Sequence, residues 1–139
     1  LAGLAYLMYL SGTWSSARAG SLVARIGHGK TLCASAALFT LGIALCAGNL
    51  PMTLLGMIAF TVGFFAVHST ASGWVGQIAT HDRAEASSMY VFCYYFGSSV
   101  VGACAGMLFD ALSWPLFIAF FTAVALSLSA LTWTRIKSD

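Results

Sequence analysis

The chain has 139 residues, of which 60% are hydrophobic and only 7% charged, against about 25% charged in an ordinary soluble domain. Such a composition cannot furnish the polar surface that a soluble fold of this length requires, so the chain reads as an integral membrane protein. Net charge is +2, and the basic residues lie at the ends of apolar runs, which argues against a nucleic-acid partner.

A spanning helix needs about 20 largely apolar residues, and that requirement divides the chain into five candidate spans of an all-α membrane fold. The first covers residues 1–17 and is uncharged. It is followed by a basic stretch, Arg18-Ala-Gly-Ser-Leu-Val-Ala-Arg-Ile-Gly-His-Gly-Lys30, with three of the six Lys/Arg residues. A lone Arg or Lys at the bilayer centre costs roughly 2.5 kcal/mol or more, so this stretch is expected to be a loop at a membrane surface. The second span covers residues 31–48. Asn49-Leu50-Pro51 then supplies a turn, with the proline well placed near a helix start. The third span, residues 52–80, exceeds what a bilayer requires and should tilt, bend or project beyond it. The fourth covers residues 86–109 and the fifth residues 113–134.

The charges support this count. Arg18, Arg25 and Lys30 follow the first span, Arg83 follows the third, and Arg135 and Lys137 follow the fifth. The two other connections carry no Lys or Arg, so every basic residue falls on one side, which the positive-inside rule makes cytoplasmic, together with the C-terminus. An odd number of spans then places Leu1 on the opposite side. No initiator Met precedes it, and the chain is expected to be a fragment whose preceding helices are missing.

Local features fit these helix ends. Asp82 and Glu85 have capping-box spacing ahead of the fourth span, and Arg135 and Lys137 suit the end of the fifth. Trp14, Trp74, Trp114 and Trp133 fall near span ends, where indole rings settle at the headgroup level. On the fourth span Ser98, Gly102 and Gly106 recur every four residues and should let a neighbouring helix approach closely, within the chain in preference to a dimer. The four cysteines contain no CxxC pair and lie in apolar runs, so they read as small hydrophobes; no metal and no cofactor are expected.

Two stretches resemble a known family. Gly20-Ser-Leu22-Val-Ala-Arg25-Ile-Gly27-His-Gly-Lys30 is similar to the loop signature of the major facilitator superfamily of secondary transporters, Gly-x-Leu-x-Asp-Arg-x-Gly-Arg-Arg. Gly20, Leu22, Arg25 and Gly27 match; Ala24 stands at the Asp position and His28-Gly29 at the arginine pair. The second stretch comprises Gly63-Phe-Phe-Ala-Val-His68-Ser-Thr-Ala-Ser72-Gly-Trp74-Val-Gly76 and Ala86 to Gly102. It resembles the tenth and eleventh helices of bacterial arabinose-efflux-like or multidrug-efflux-like permeases. The resemblance covers essentially the whole chain and implies the last five of twelve helices, in a bacterial inner membrane. It also implies export of a small organic or drug-like solute by alternating access, the missing half supplying the partner helices.

In that family the tenth helix lines the central cavity, which points to the third span. Its one ionisable residue is His68, with Thr61 and Ser72 at i−7 and i+4 on the same face. An ionisable group inside a span is a functional candidate because burying it unpaired is costly. His68 either meets solute or exchanges a proton, or it hydrogen-bonds a neighbouring helix and only holds the bundle together. Tyr90, Tyr94 and Tyr95 are candidates for an aromatic wall, with Tyr94 grouped with His68 as solute-binding, although aromatic rings on a membrane helix also serve in packing. Asp82, Glu85, Asp110 and Asp139 sit at span ends, which leaves no carboxylate in mid-membrane. A membrane-embedded enzyme is the weaker alternative, because the chain lacks HExxH, paired carboxylates and GxSxG. A non-catalytic assembly or scaffold protein is the other alternative.

Overall fold

Ala, Leu, Arg and Ser fill the chain from Ala2 onwards with no helix breaker that stands against tertiary packing until Gly27. The computed structural model, which describes residues 2–138, accordingly begins with one long helix, α1 (Ala2–Ile26). It is followed by α2 (His28–Leu45), α3 (Leu50–Ile78), α4 (Arg83–Ala111) and α5 (Trp114–Ser138). Leu1, Asp139 and the side chains of Ala2, Leu4, Ala5, Leu7, Arg135, Lys137 and Ser138 lie outside what is described.

The first helix corrects one expectation. Residues 18–30 do not form a loop: Gly20, Leu22 and Arg25 ride on the last turns of α1, and the connection shrinks to Gly27. A helix satisfies its own backbone groups, so it can extend past hydrocarbon with exposed Arg18 and Arg25 on its surface. Gly27 adopts φ 84° and ψ 163°, a region reserved almost entirely for glycine, and this one residue redirects the chain into α2. Among the described residues four helices, α2 to α5, are long and apolar enough to cross a membrane. In α1 the apolarity is diluted by Ser11, Thr13, Ser15, Ser16 and Arg18. Two of those hydroxyls are spent against α3: Ser15 donates to the Val62 carbonyl at 2.7 Å, and Ser16 pairs with Ser69.

The capping box is also absent. Asp82 takes a left-handed conformation (φ 53°, ψ 44°) in place of the extended one that N-cap residues usually adopt, and makes no side-chain cap. Glu85 alone places negative charge at that helix start. Asn49, by contrast, caps α3, accepting from the Met52 amide at 3.2 Å, with Pro51 in the first turn.

The bundle is built around α3, which packs on α2, α1 and α4, while α5 packs on the far side of α2. The closest approach is between α2 and α3. A Cβ on Gly63 would stand 2.5 Å from the Phe39 amide nitrogen and 2.9 Å from the Ser35 carbonyl oxygen; one on Gly56 would stand 2.7 Å from the Gly42 carbonyl oxygen, and one on Gly42 would strike the Phe60 backbone. Lipid supplies no hydrophobic force between helices, so such contact needs the missing side chains. Between α2 and α5, Ile43, Ile118 and Ala125 are buried with Phe39, Phe117 and Phe121 around them. Trp114 fastens the near end by donating from Nε1 to the Cys46 carbonyl at 3.0 Å.

Helix ends bearing Lys or Arg gather at one end of this bundle. Gly29 of α2 lies against Ile136 of α5, and the His28 ring stacks on Trp74 near the end of α3 at 5.5 Å. The Asn49–Pro51 turn and Trp114 occupy the opposite end. Helix α4 touches only α3 extensively and has no buried residue; Cys93 and Cys104 on it are exposed, so they are not the buried small hydrophobes expected.

Candidate functional site

Helix α3 carries no Lys, Arg, Asp or Glu from Leu50 to Ile78, so His68 is the titratable side chain that its fold must accommodate. The solution lies on α4. The Tyr90 hydroxyl sits 3.0 Å from Nδ1 of His68 and donates to the His68 backbone carbonyl at 3.3 Å. Both contacts gain separate protons when Nδ1–H donates to the Tyr90 oxygen and the phenol donates to the carbonyl. That tautomer leaves Nε2 as an acceptor.

Aromatic rings enclose the imidazole. Tyr94 lies 4.5 Å from it between ring centroids, and Phe64 is parallel to it at 6.2 Å. Phe64 and Tyr94 themselves approach to 6.3 Å. The spacing follows from the helices: Phe64 and His68 are one turn apart on α3, Tyr90 and Tyr94 one turn apart on α4, and the two pairs face each other. All four side chains are half-buried. Chemically the group offers one hydrogen-bond acceptor, one site for a proton and aromatic faces suited to an apolar or cationic solute.

The other expected members are placed differently. Thr61 turns its hydroxyl onto the Met57 carbonyl at 2.7 Å and its methyl towards Gly12 of α1. Ser72 is exposed. His68 and Tyr94 are therefore brought together, Thr61 and Ser72 are not, and Tyr90 and Phe64 complete the group. Phe64 carried a usable signal in its four-residue spacing to His68. Tyr95 is exposed and meets Tyr94 edge-on at 5.1 Å.

Two further sets complete the comparison. Of the motif residues, Leu22 and Arg25 line a cavity between α1, α2 and α3, while Gly20 is exposed with open space at its Cβ position. Ser98, Gly102 and Gly106 are exposed, and a Cβ on either glycine would meet nothing within 4 Å. The glycines that meet the backbone of a facing helix are Gly42, Gly56 and Gly63, signalled by the seven-residue spacing of Gly56 and Gly63.

No protein-family model matches the chain, and no solved structure matches it. Curated relatives do. It is 38% identical over 136 residues to the MFS-type transporter YybF of Bacillus subtilis, covering 95% of this chain and 34% of that protein. It is 37% identical over 140 residues to the inner membrane transport protein YnfM of Escherichia coli, covering 96% of this chain and 32% of that protein. A transporter of Buchnera aphidicola from Baizongia pistaciae is 33% identical over 131 residues, covering 91% and 32%. The chain thus spans about a third of the length of the curated relatives it matches. Over that third, its sequence is similar to those of MFS-type and inner membrane transport proteins, and its described residues are all-α, with four helices long and apolar enough to cross a membrane.

Proposed function

We propose that this chain forms part of a secondary active transporter that exports a small organic or drug-like solute across a bacterial inner membrane by alternating access. The observation that supports this reading is the His68 group: a single titratable ring, held by Tyr90 and enclosed by Phe64 and Tyr94, in the long uncharged helix at the middle of the bundle. An ionisable side chain kept inside a span marks a solute or ion path. His68 and Tyr94 meet solute directly in this reading, and Thr61 and Ser72 join them through helix movement during the transport cycle.

The basic end of the bundle faces the cytoplasm, and the C-terminus with it. The open Ser98-Gly102-Gly106 face of α4 receives a helix lying outside this chain, since small residues in lipid serve close packing. The described carboxylates, Asp82, Glu85 and Asp110, stand at or beside helix ends, so a proton-coupled cycle takes its principal carrier from helices outside this chain. The test is solute flux by the complete transporter. Cells expressing it should lower their accumulation of a fluorescent drug-like cation such as ethidium, or of a pentose, and His68→Ala should weaken that effect. A reconstituted complete protein with no flux of any tested organic solute would favour the scaffold reading, in which the Tyr90–His68 bond only ties α4 to α3.

A further inference from the structure

A cavity of about 380 Å³ lies between α1, α2 and α3 on the side away from the His68 group. Its rim carries Trp14, Arg18 and Arg25 of α1; its floor includes Ser35 and Leu38 of α2 and Ala66 of α3. Arg18 and Arg25 are seven residues apart, two helical turns, and so share one face with about 10 Å between their backbone positions. The Arg18 guanidinium lies 5.2 Å from the Trp14 ring centre, which fixes its position at the rim. Neither arginine has an ion-pair partner among the described residues. Ser35 is only 5% exposed, lines the cavity, and its hydroxyl makes no hydrogen bond among the described residues. That hydroxyl is free to bond a polar atom that enters the cavity.

We propose that this cavity is a binding site for an acidic phospholipid, with its phosphate at Arg18 and Arg25 and the start of an acyl chain over Leu38 and Ala66. Three features select that chemistry. Two planar guanidinium groups match the oxygens of a phosphate. The floor beyond them is apolar and uncharged, which a small hydrophilic anion would not fill. The cavity also lies against the part of α1 that carries both arginines, and Ser35 provides a buried donor on its floor. The inference requires that the bundle spans a membrane and is independent of the transport reading.

Trp14 makes the site observable. In a variant with Trp74, Trp114 and Trp133 replaced by Phe, Trp14 fluorescence should be quenched by brominated phosphatidylglycerol about 25-fold more efficiently, per lipid, than by brominated phosphatidylcholine. Each of Arg18→Gln and Arg25→Gln should lower that preference about fivefold, and the double variant should abolish it. Lys30→Gln, which lies outside the cavity, should leave it unchanged. Millimolar inorganic phosphate or glycerol phosphate should not relieve the quenching. Equal quenching by the two lipids, or a preference indifferent to both arginines, overturns the site; displacement by soluble phosphate overturns its assignment to lipid. If the triple-Phe background does not fold, native mass spectrometry of the chain with all four tryptophans decides the matter: retention of phosphatidylglycerol over phosphatidylcholine, lost in the double Arg variant, is required.

Discussion

Tyr90 reaches His68 twice, at the imidazole Nδ1 (3.0 Å) and at the backbone carbonyl (3.3 Å), and so joins α4 to α3 through one phenol oxygen. Helix α4 has no buried residue and touches little else, which makes this link a large part of what positions it.

Tyr90→Phe should therefore destabilise the α3–α4 pair by about 1–2 kcal/mol, leaving the half-buried His68 Nδ1 without a partner. Thermal unfolding in detergent measures this. A midpoint within error of the parent would mean that the phenol oxygen contributes nothing.

Transport by the complete protein should respond to His68→Gln with a changed apparent affinity for solute. The glutamine side chain keeps a hydrogen-bonding amide but lacks the imidazole ring that Phe64 and Tyr94 face. An affinity identical to the parent's would leave His68 a purely structural residue. Residues 1–139 alone should give no saturable uptake in liposomes, because alternating access needs two halves moving about a central site.

Two glycines of the same motif should behave oppositely. Gly27→Ala forces a side chain into φ 84°, ψ 163° and should cost about 1–3 kcal/mol. Gly20→Ala places a methyl in open space on a helix and should stabilise by about 0.5–1 kcal/mol. Denaturant titration followed by circular dichroism distinguishes them; a similar effect at both positions would contradict the backbone assigned to Gly27.

Gly63→Ala puts a methyl 2.5 Å from the Phe39 nitrogen and should separate α2 from α3 at a cost of about 1–3 kcal/mol or more. Gly102→Ala should be neutral in this chain, where nothing lies within 4 Å, and damaging in the complete transporter, where α4 gains a neighbour. Neutrality in both settings would remove the packing role proposed for the Ser98-Gly102-Gly106 face.

Cysteines introduced at positions 28 and 82 should react with a membrane-impermeant maleimide in inside-out vesicles and not in intact cells, against a background lacking the four native cysteines. Labelling of either from outside intact cells would reverse the proposed orientation.

The amino-acid sequence by itself determined the class and the number of helices, because a bilayer sets a minimum length for each apolar run and expels charge to its ends. Asn49 and Pro51 marked the start of α3 correctly for the same local reason. Residues 18–30 were misread as a loop because basic side chains report depth in the membrane, not backbone conformation; Arg is a good helix former, and only Gly27 interrupts the helix. His68 was legible as an anomaly in an uncharged span. Its partners were not, since the choice of Tyr90 and Phe64 over Thr61 and Ser72 depends on which neighbour meets which face of α3. Tertiary packing alone decided that, and it alone placed the close glycine seam at Gly42, Gly56 and Gly63 and left Gly102 and Gly106 open. Small residues permit close approach, but the residues opposite them determine where it occurs.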